Sequence, residues 1–456
     1  MASNKISMSG AERRAVSGLA GIFALRMFGL FLLLPVLAVY ARDLPGSTPL
    51  LVGIAVGAYG LSQALLQIPF GWWSDRFGRK RVITIGLLIF ALGSVVAALG
   101  AHIWIVILGR FLQGAGAIAA AVLALTADLT REENRHKAMA VLGMAIGLVF
   151  MASLAAGPAL SRVFGVSGLF WISAALAPVA MAVLWRFVPT PSRSVTHRDV
   201  ETAPEHVRRV LGDPHLRRLD LGIFVLHAVL TATFVAVPIT LAHKLGIGIG
   251  EHWKIYLSVL VLSIPVMVPL IFMARGTRVF RVMPVAVGLV LAAQLVILFW
   301  PGFWGLMVAL WLFFCGFNTL EALLPSLVSR VAPAAGKGTA IGVYNTSEFL
   351  GVFTGGAAAG WVQGSYGLHG VAVMCAAALV LWLLVLLTGS APALFDSRVL
   401  RIAGSTRAEA GGLSEELARI PGVLEATVVA EEGVAYVKID RGRLDEDQLA
   451  RYGALS

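Results

Sequence analysis

Long apolar runs fill most of the chain, and short charged stretches separate them. Runs long enough to cross a bilayer recur near residues 15–40, 50–70, 82–101, 103–127, 138–164, 168–188, 218–242, 253–274, 282–300, 303–328, 338–364 and 367–388. Each approaches the roughly 20 residues that a hydrocarbon core about 30 Å thick requires of a helix. Only helices and closed barrels satisfy their backbone groups without water, so the pattern predicts a membrane all-α bundle of about twelve spans. The first run follows Lys5, Arg13 and Arg14. It is too long for a signal-peptide core and lacks a cleavage site, so it is expected to be retained. The series breaks at residues 189–217, which are rich in Pro, Arg, Asp and Glu and read as a solvated linker with one short amphipathic helix. The expected organisation is a tail (1–14), a six-helix half (15–188), the linker (189–217) and a second six-helix half (218–388).

After Gly389 the pattern changes to short alternating runs. Residues 389–398 read as a linker and 399–456 as a small domain. Val399–Ile402 fits a strand, Leu413–Ile420 a helix, and Leu424–Ala430 with Val434–Ile439 a hairpin around Glu431-Glu432-Gly433. Asp445–Tyr452 fits a second helix. This β-α-β-β-α order resembles a small α+β ferredoxin-like fold, and the fourth strand of that fold is expected to be missing. Its first loop holds neither Cys nor His, which argues against soft-metal binding. A regulatory ligand or protein is the partner expected at 399–456.

Composition sharpens the picture. The chain is 58% hydrophobic and 13% charged, against about 25% charged residues in soluble domains. The bilayer must therefore solvate most of it. A net charge of +11 would suit nucleic acid, but the charges cluster in short loops, so no nucleic-acid partner is expected. With the N-terminus inside, Lys and Arg crowd the cytoplasmic loops, while the external loops hold Arg42, Arg162, Lys244 and Lys254. Both termini are accordingly expected in the cytoplasm. Cys315 and Cys375 lie inside apolar runs and read as small buried residues. The sequence shows no phosphate loop, catalytic triad or metal cluster, so neither an enzyme nor a cofactor is expected.

The spans themselves carry few polar groups. Two later spans repeat one tetrad, Asn318-Thr-Leu-Glu321 and Asn345-Thr-Ser-Glu348. Asn and Glu three apart share a helix face, and an ionisable group inside the hydrocarbon is a functional candidate by default. Glu321 and Glu348 are the candidate proton carriers, with Asn318, Asn345 and Gln113 as central-cavity candidates. Arg26, Arg110 and His227 are the other charged or titratable groups at that depth. Arg26 is the expected charge partner of the glutamates. A static Glu–Arg clamp between helices is the competing reading, and His227 alone reads as a hydrogen-bonded packing residue.

The densest charged knot is Gly71-Trp-Trp-Ser-Asp75-Arg76-Phe-Gly78-Arg79-Lys80-Arg81, between the second and third spans. Its G-x-x-x-D-R-x-G-R-K spacing resembles the cytoplasmic loop motif of the major facilitator superfamily. Arg110-Phe-Leu-Gln113-Gly114-Ala-Gly116 resembles that family's R-x-x-Q-G-x-G motif, which implies a part in proton transfer; a buried hydrogen-bond hub is the alternative. Asp128 resembles the partner of Arg79 in the same family. The loop Arg275-Gly276-Thr277-Arg278 stands at the corresponding place in the second half, as expected of a parallel repeat. Gly157-Pro158 begins the family's antiporter motif and marks a helix bend, but Ser161 and Arg162 replace its final glycines. The subgroup with a ferredoxin-like tail consists of bacterial inner-membrane transporters. That resemblance implies proton-coupled efflux of a small molecule by alternating access. The positive dipole end of the eleventh span, near Gly338 on the same face, makes Asp75 an expected latch between the halves in the outward-facing state; the competing reading is that the charges only keep the loop from crossing the membrane. A facilitator or symporter of the same fold, and a sensor signalling through the tail, are the alternatives.

Overall fold

The computed structural model describes residues 8–190, 204–333, 336–389, 396–402, 410–429, 434–439, 443–452 and 454–455. The first half comprises α1 (Gly10–Phe31), α2 (Leu37–Arg42), α3 (Pro49–Phe77), α4 (Arg79–Ala98), α5 (Ile103–Ala115), α6 (Ala119–Asp128) and α7 (Glu132–Phe187). A short helix α8 (Pro204–Gly212) falls in the expected linker. The second half comprises α9 (Pro214–Ile239), α10 (His252–Met273), α11 (Val279–Phe299), α12 (Phe303–Val331) and α13 (Lys337–Thr388).

Helices α7 and α13 hold 56 and 52 residues. At 1.5 Å per residue each would run to about 80 Å, more than twice the hydrocarbon thickness of about 30 Å. Each is broken by one glycine instead. Gly165 has φ 66° and Gly367 has φ 60°, a left-handed backbone that costs glycine little because it has no Cβ. Among the described residues ten helices are long and apolar enough to cross a membrane, and two of them are double, which gives twelve crossings. The two breaks fall between the last two spans of each half, as a parallel repeat demands.

The end of the bundle that carries the 71–81 loop, here the tail end, is tied by charge. Arg131 donates to Glu12 at 2.9 Å, and Arg79 to Asp128 at 3.2 Å. The two halves meet at the opposite, far end. There α3 and α13 pack through glycines: a Cβ on Gly53 would strike the Gly356 carbonyl, and one on Gly360 would lie 2.9 Å from the Gly53 Cα. Small residues let backbones approach where lipid removes the hydrophobic drive for association. Arg162 and Glu251 add a cross-half ion pair of 2.9 Å at the same end.

The C-terminal domain is a four-stranded antiparallel sheet in the order β2-β3-β1-β4 with two helices. Its elements are β1 (Asp396–Arg401), α14 (Ala410–Ala418), β2 (Val423–Val429), β3 (Val434–Ile439), α15 (Glu446–Ala450) and β4 (Ala454–Leu455). Two sequence expectations change. The first strand starts at Asp396 rather than Val399, and the fourth strand is present: Ala454 pairs with Arg401 and Leu455 with Leu400. Two residues are too few to show alternation, which hid this strand. The hairpin tip around Glu431-Glu432-Gly433 and the 403–409 loop lie outside the described residues. Leu400, Leu417, Val437, Ile439 and Leu449 form the domain core. Lys438 donates to the Val331 carbonyl at the end of α12 (3.2 Å), and Arg209 of α8 reaches Glu425 at 3.5 Å. Burial lowers the Lys438 ammonium pKa from its ordinary value, while Glu425 and Asp213 act to raise it.

The glycine seam sets one expectation. Gly356→Leu should overpack the α3–α13 contact at about 1–3 kcal/mol and open the far end. A Val52→Cys reporter should then react faster with a membrane-impermeant maleimide, and an unchanged labelling rate would show that the seam does not hold the halves together.

Candidate functional site: a carboxylate–imidazole cluster inside the bundle

The site begins with helix contacts. α9 is the most enclosed of the described spans. A Cβ on Gly351 would strike the Phe224 carbonyl, and one on Gly355 the Ala228 carbonyl. These two glycines let α13 approach the stretch of α9 that carries His227. Glu348 lies one turn before Gly351 on α13, so it faces the imidazole. Glu321 arrives from α12.

His227 Nε2 stands 3.5 Å from Glu348 Oε1 and 3.8 Å from Glu321 Oε2. Both exceed the roughly 2.7–3.2 Å of a tight hydrogen bond, so no fixed proton ties the three together. The imidazole side chain is 9% exposed, against 21% for Glu348 and 41% for Glu321. Glu321 is nonetheless surrounded by protein deep within the bundle. Asn318 Nδ2, Glu321 Oε2 and Tyr344 Oη are buried without a protein hydrogen-bond partner, and such groups call for one. Tyr344 interacts electrostatically with Glu321, Glu348 and Asp220. Asn345 is half-buried one turn before Glu348.

Aromatic rings wall the cluster. Phe317 meets the His227 ring edge-on at 5.8 Å. It also packs on Phe150 at 5.8 Å, which meets Phe31 at 5.2 Å. This row crosses from one half to the other. One ligand atom each from His227, Glu321 and Glu348 lie within 4.8 Å of one another, so the group is chemically able to hold a cation. The sequence showed no metal cluster because these residues stand on three separate spans.

The first-half arginines have other partners. Arg26 donates to Gln63 at 2.9 Å and lies 5.8 Å from the Phe90 ring centre. The expected Arg26–glutamate pair is thus replaced by a neutral amide within the same half. Arg110 donates to Gln113 (2.8 Å) and the Val56 carbonyl (3.4 Å), and stacks 4.5 Å from the Tyr59 ring. Gln113 continues to Ser94 at 2.8 Å. Tyr59 interacts with both arginines and with Glu348 across the halves. It and the buried Asp220 escaped the sequence reading: Tyr59 sits in a small-residue run, and Asp220 reads as the start of a helix.

The 71–81 loop is organised by Arg79, which pairs with Asp75 and Asp128 and donates to Ser74 Oγ at 2.9 Å. Gly78 makes the turn at φ 95°, and Gly71 lies close to Ala120. Lys80 caps the Val188 carbonyl (2.5 Å), and Arg76 lies over Trp72. In this conformation Asp75 is engaged within its own half. Gly157 lets α7 touch the Leu32 carbonyl where α1 ends, and Pro158 follows it inside the helix.

Comparison with known proteins agrees with this architecture. The major facilitator superfamily profile matches residues 19–356. The inner membrane transport protein YajR of Escherichia coli (strain K12) is 44% identical over 441 residues, 96% of each chain. Multidrug resistance protein 2 of Bacillus subtilis (strain 168) is 38% identical over 185 residues, 40% of this chain and 44% of that protein. Among solved structures, a mutant form of the nucleoside transporter NupG shares the fold with a TM-score of 0.65 at 13% identity, covering 82% of this chain and 99% of its own. A bacterial homolog of the human lysosomal transporter Spinster, inward-facing and occupied, gives 0.65 at 13% identity, covering 83% and 96%. The twelve crossings, the charged loop and these matches together place the chain in the major facilitator superfamily of membrane transporters.

Proposed function

We propose that this secondary transporter, which works by alternating access, is a proton-coupled antiporter that exports small organic cations. The observation that carries the reading is the meeting of Glu321, Glu348 and His227 inside the bundle. Two carboxylates can be neutralised by protons or by a cationic substrate, but not fully by both. Carrying an uncompensated charge through apolar surroundings costs at least about 2.5–3.5 kcal/mol. The empty, deprotonated carrier therefore reorients slowly, and the loaded forms reorient fast. That competition is the physical basis of exchange. Phe31, Phe150 and Phe317 offer ring faces to an organic cation. The partial likeness to a multidrug resistance protein supports this substrate class. The Lys and Arg bias supports a cytoplasmic position for both termini, hence export toward the far end. The 71–81 loop would then serve as a latch on the cytoplasmic side, with the Asp75–Arg79 pair as the contact that competes with it.

Reconstituted vesicles test the reading with ethidium as probe. Glu348→Gln and Glu321→Gln should slow pH-driven uptake at least tenfold, while ethidium counterflow without a pH gradient persists. Proton coupling unchanged in both variants would remove the carboxylates from the mechanism. His227→Asn should slow pH-driven ethidium uptake severalfold, because the ring borders both carboxylates; an unchanged rate would assign the ring to packing alone.

A further inference from the structure

The far end holds a second polar feature that the transport cycle above does not use. A cavity of about 510 Å³ opens there between the halves. Arg42, at the end of α2, lines it from the first half. His243 and Lys244 line it from the second, with Thr48, Thr240 and Gln363 adding neutral polar groups. Among the described lining residues there is no carboxylate, and Arg42 and Lys244 form no ion pair with one. Asp43 follows Arg42 in sequence but does not line the cavity.

Local structure builds this arrangement. The end of the seventh span widens into a π-helical turn at Thr240–Lys244. Such turns are rare and frequent at functional sites, because they re-aim side chains that an α-helix would point elsewhere. Lys244 Nζ is aimed at the Gly367 break of α13, 3.8 Å from where a Cβ on that glycine would stand. Like charges gathered in a cleft repel one another and focus a positive potential. An anion cancels that repulsion and gains charge-assisted hydrogen bonds from guanidinium and ammonium together.

We propose that this cavity binds a small oxyanion, a carboxylate or a phosphate, which ties the two halves together at the far end. The ligand reaches Arg42 of one half and Lys244 of the other, so it binds best when the α3–α13 seam is closed. It therefore acts as a brake on reorientation, independent of what the central cluster carries. A soluble anion and the headgroup of an acidic lipid offer the same chemistry.

Full-length protein in detergent, titrated with citrate and with inorganic phosphate, tests the site. Calorimetric binding at low salt is expected, weakened at least tenfold in Arg42→Gln and in Lys244→Gln and retained in Arg42→Lys. A spin-label pair from Leu50→Cys and Trp361→Cys should shift toward its shorter distances with citrate. Nanodiscs separate the sources: tighter spin distances in phosphatidylglycerol than in phosphatidylcholine, lost in Arg42→Gln, would assign the ligand to lipid. Binding by neither source, or binding indifferent to both charge-removing variants, overturns the proposal. None of these readouts requires transport, so failure of the antiport reading leaves the result interpretable.

Discussion

Helix α13 must lie within backbone contact of two different neighbours, and the rest of the bundle depends on that. One pair of its glycines, Gly351 and Gly355, presses on the carbonyls of α9 inside the same half. The next pair, Gly356 and Gly360, presses on α3 of the other half. The first contact fixes Glu348 against His227. The second brings the backbones of the two halves into direct contact at the far end. A Cβ at either pair would damage a different property: the first would displace the acid, and the second would prop the halves apart.

Charge is distributed unequally between the halves. Arg26 and Arg110 are buried beside neutral amides and rings, with Gln63, Gln113 and Tyr59 sharing their hydrogen bonds and π-faces. The carboxylates of the second half have a weakly held imidazole and open space instead. Tyr59, which feels both arginines and Glu348, joins these environments across the cavity.

The fold was largely legible because span length alone carries the signal in a membrane chain. The charged loop and the order of the tail elements followed from equally local cues. What escaped was tertiary or very short. Gly165 and Gly367 look like any other glycine in an apolar run until their φ values are seen. β4 offers two residues and no alternation. Arg26 and the glutamates share depth in the membrane, but depth does not specify which half a side chain faces. His227 read as packing because its carboxylates stand on two other spans, and only the helix contacts bring the three together.

The single-residue breaks at Gly165 and Gly367 bear on how the far face can be handled. Where a hairpin reverses within one glycine, no length of chain stands clear of the bilayer for a protease to seat or an antibody to grip. Epitope insertions aimed at those two corners would have to force helical turns apart.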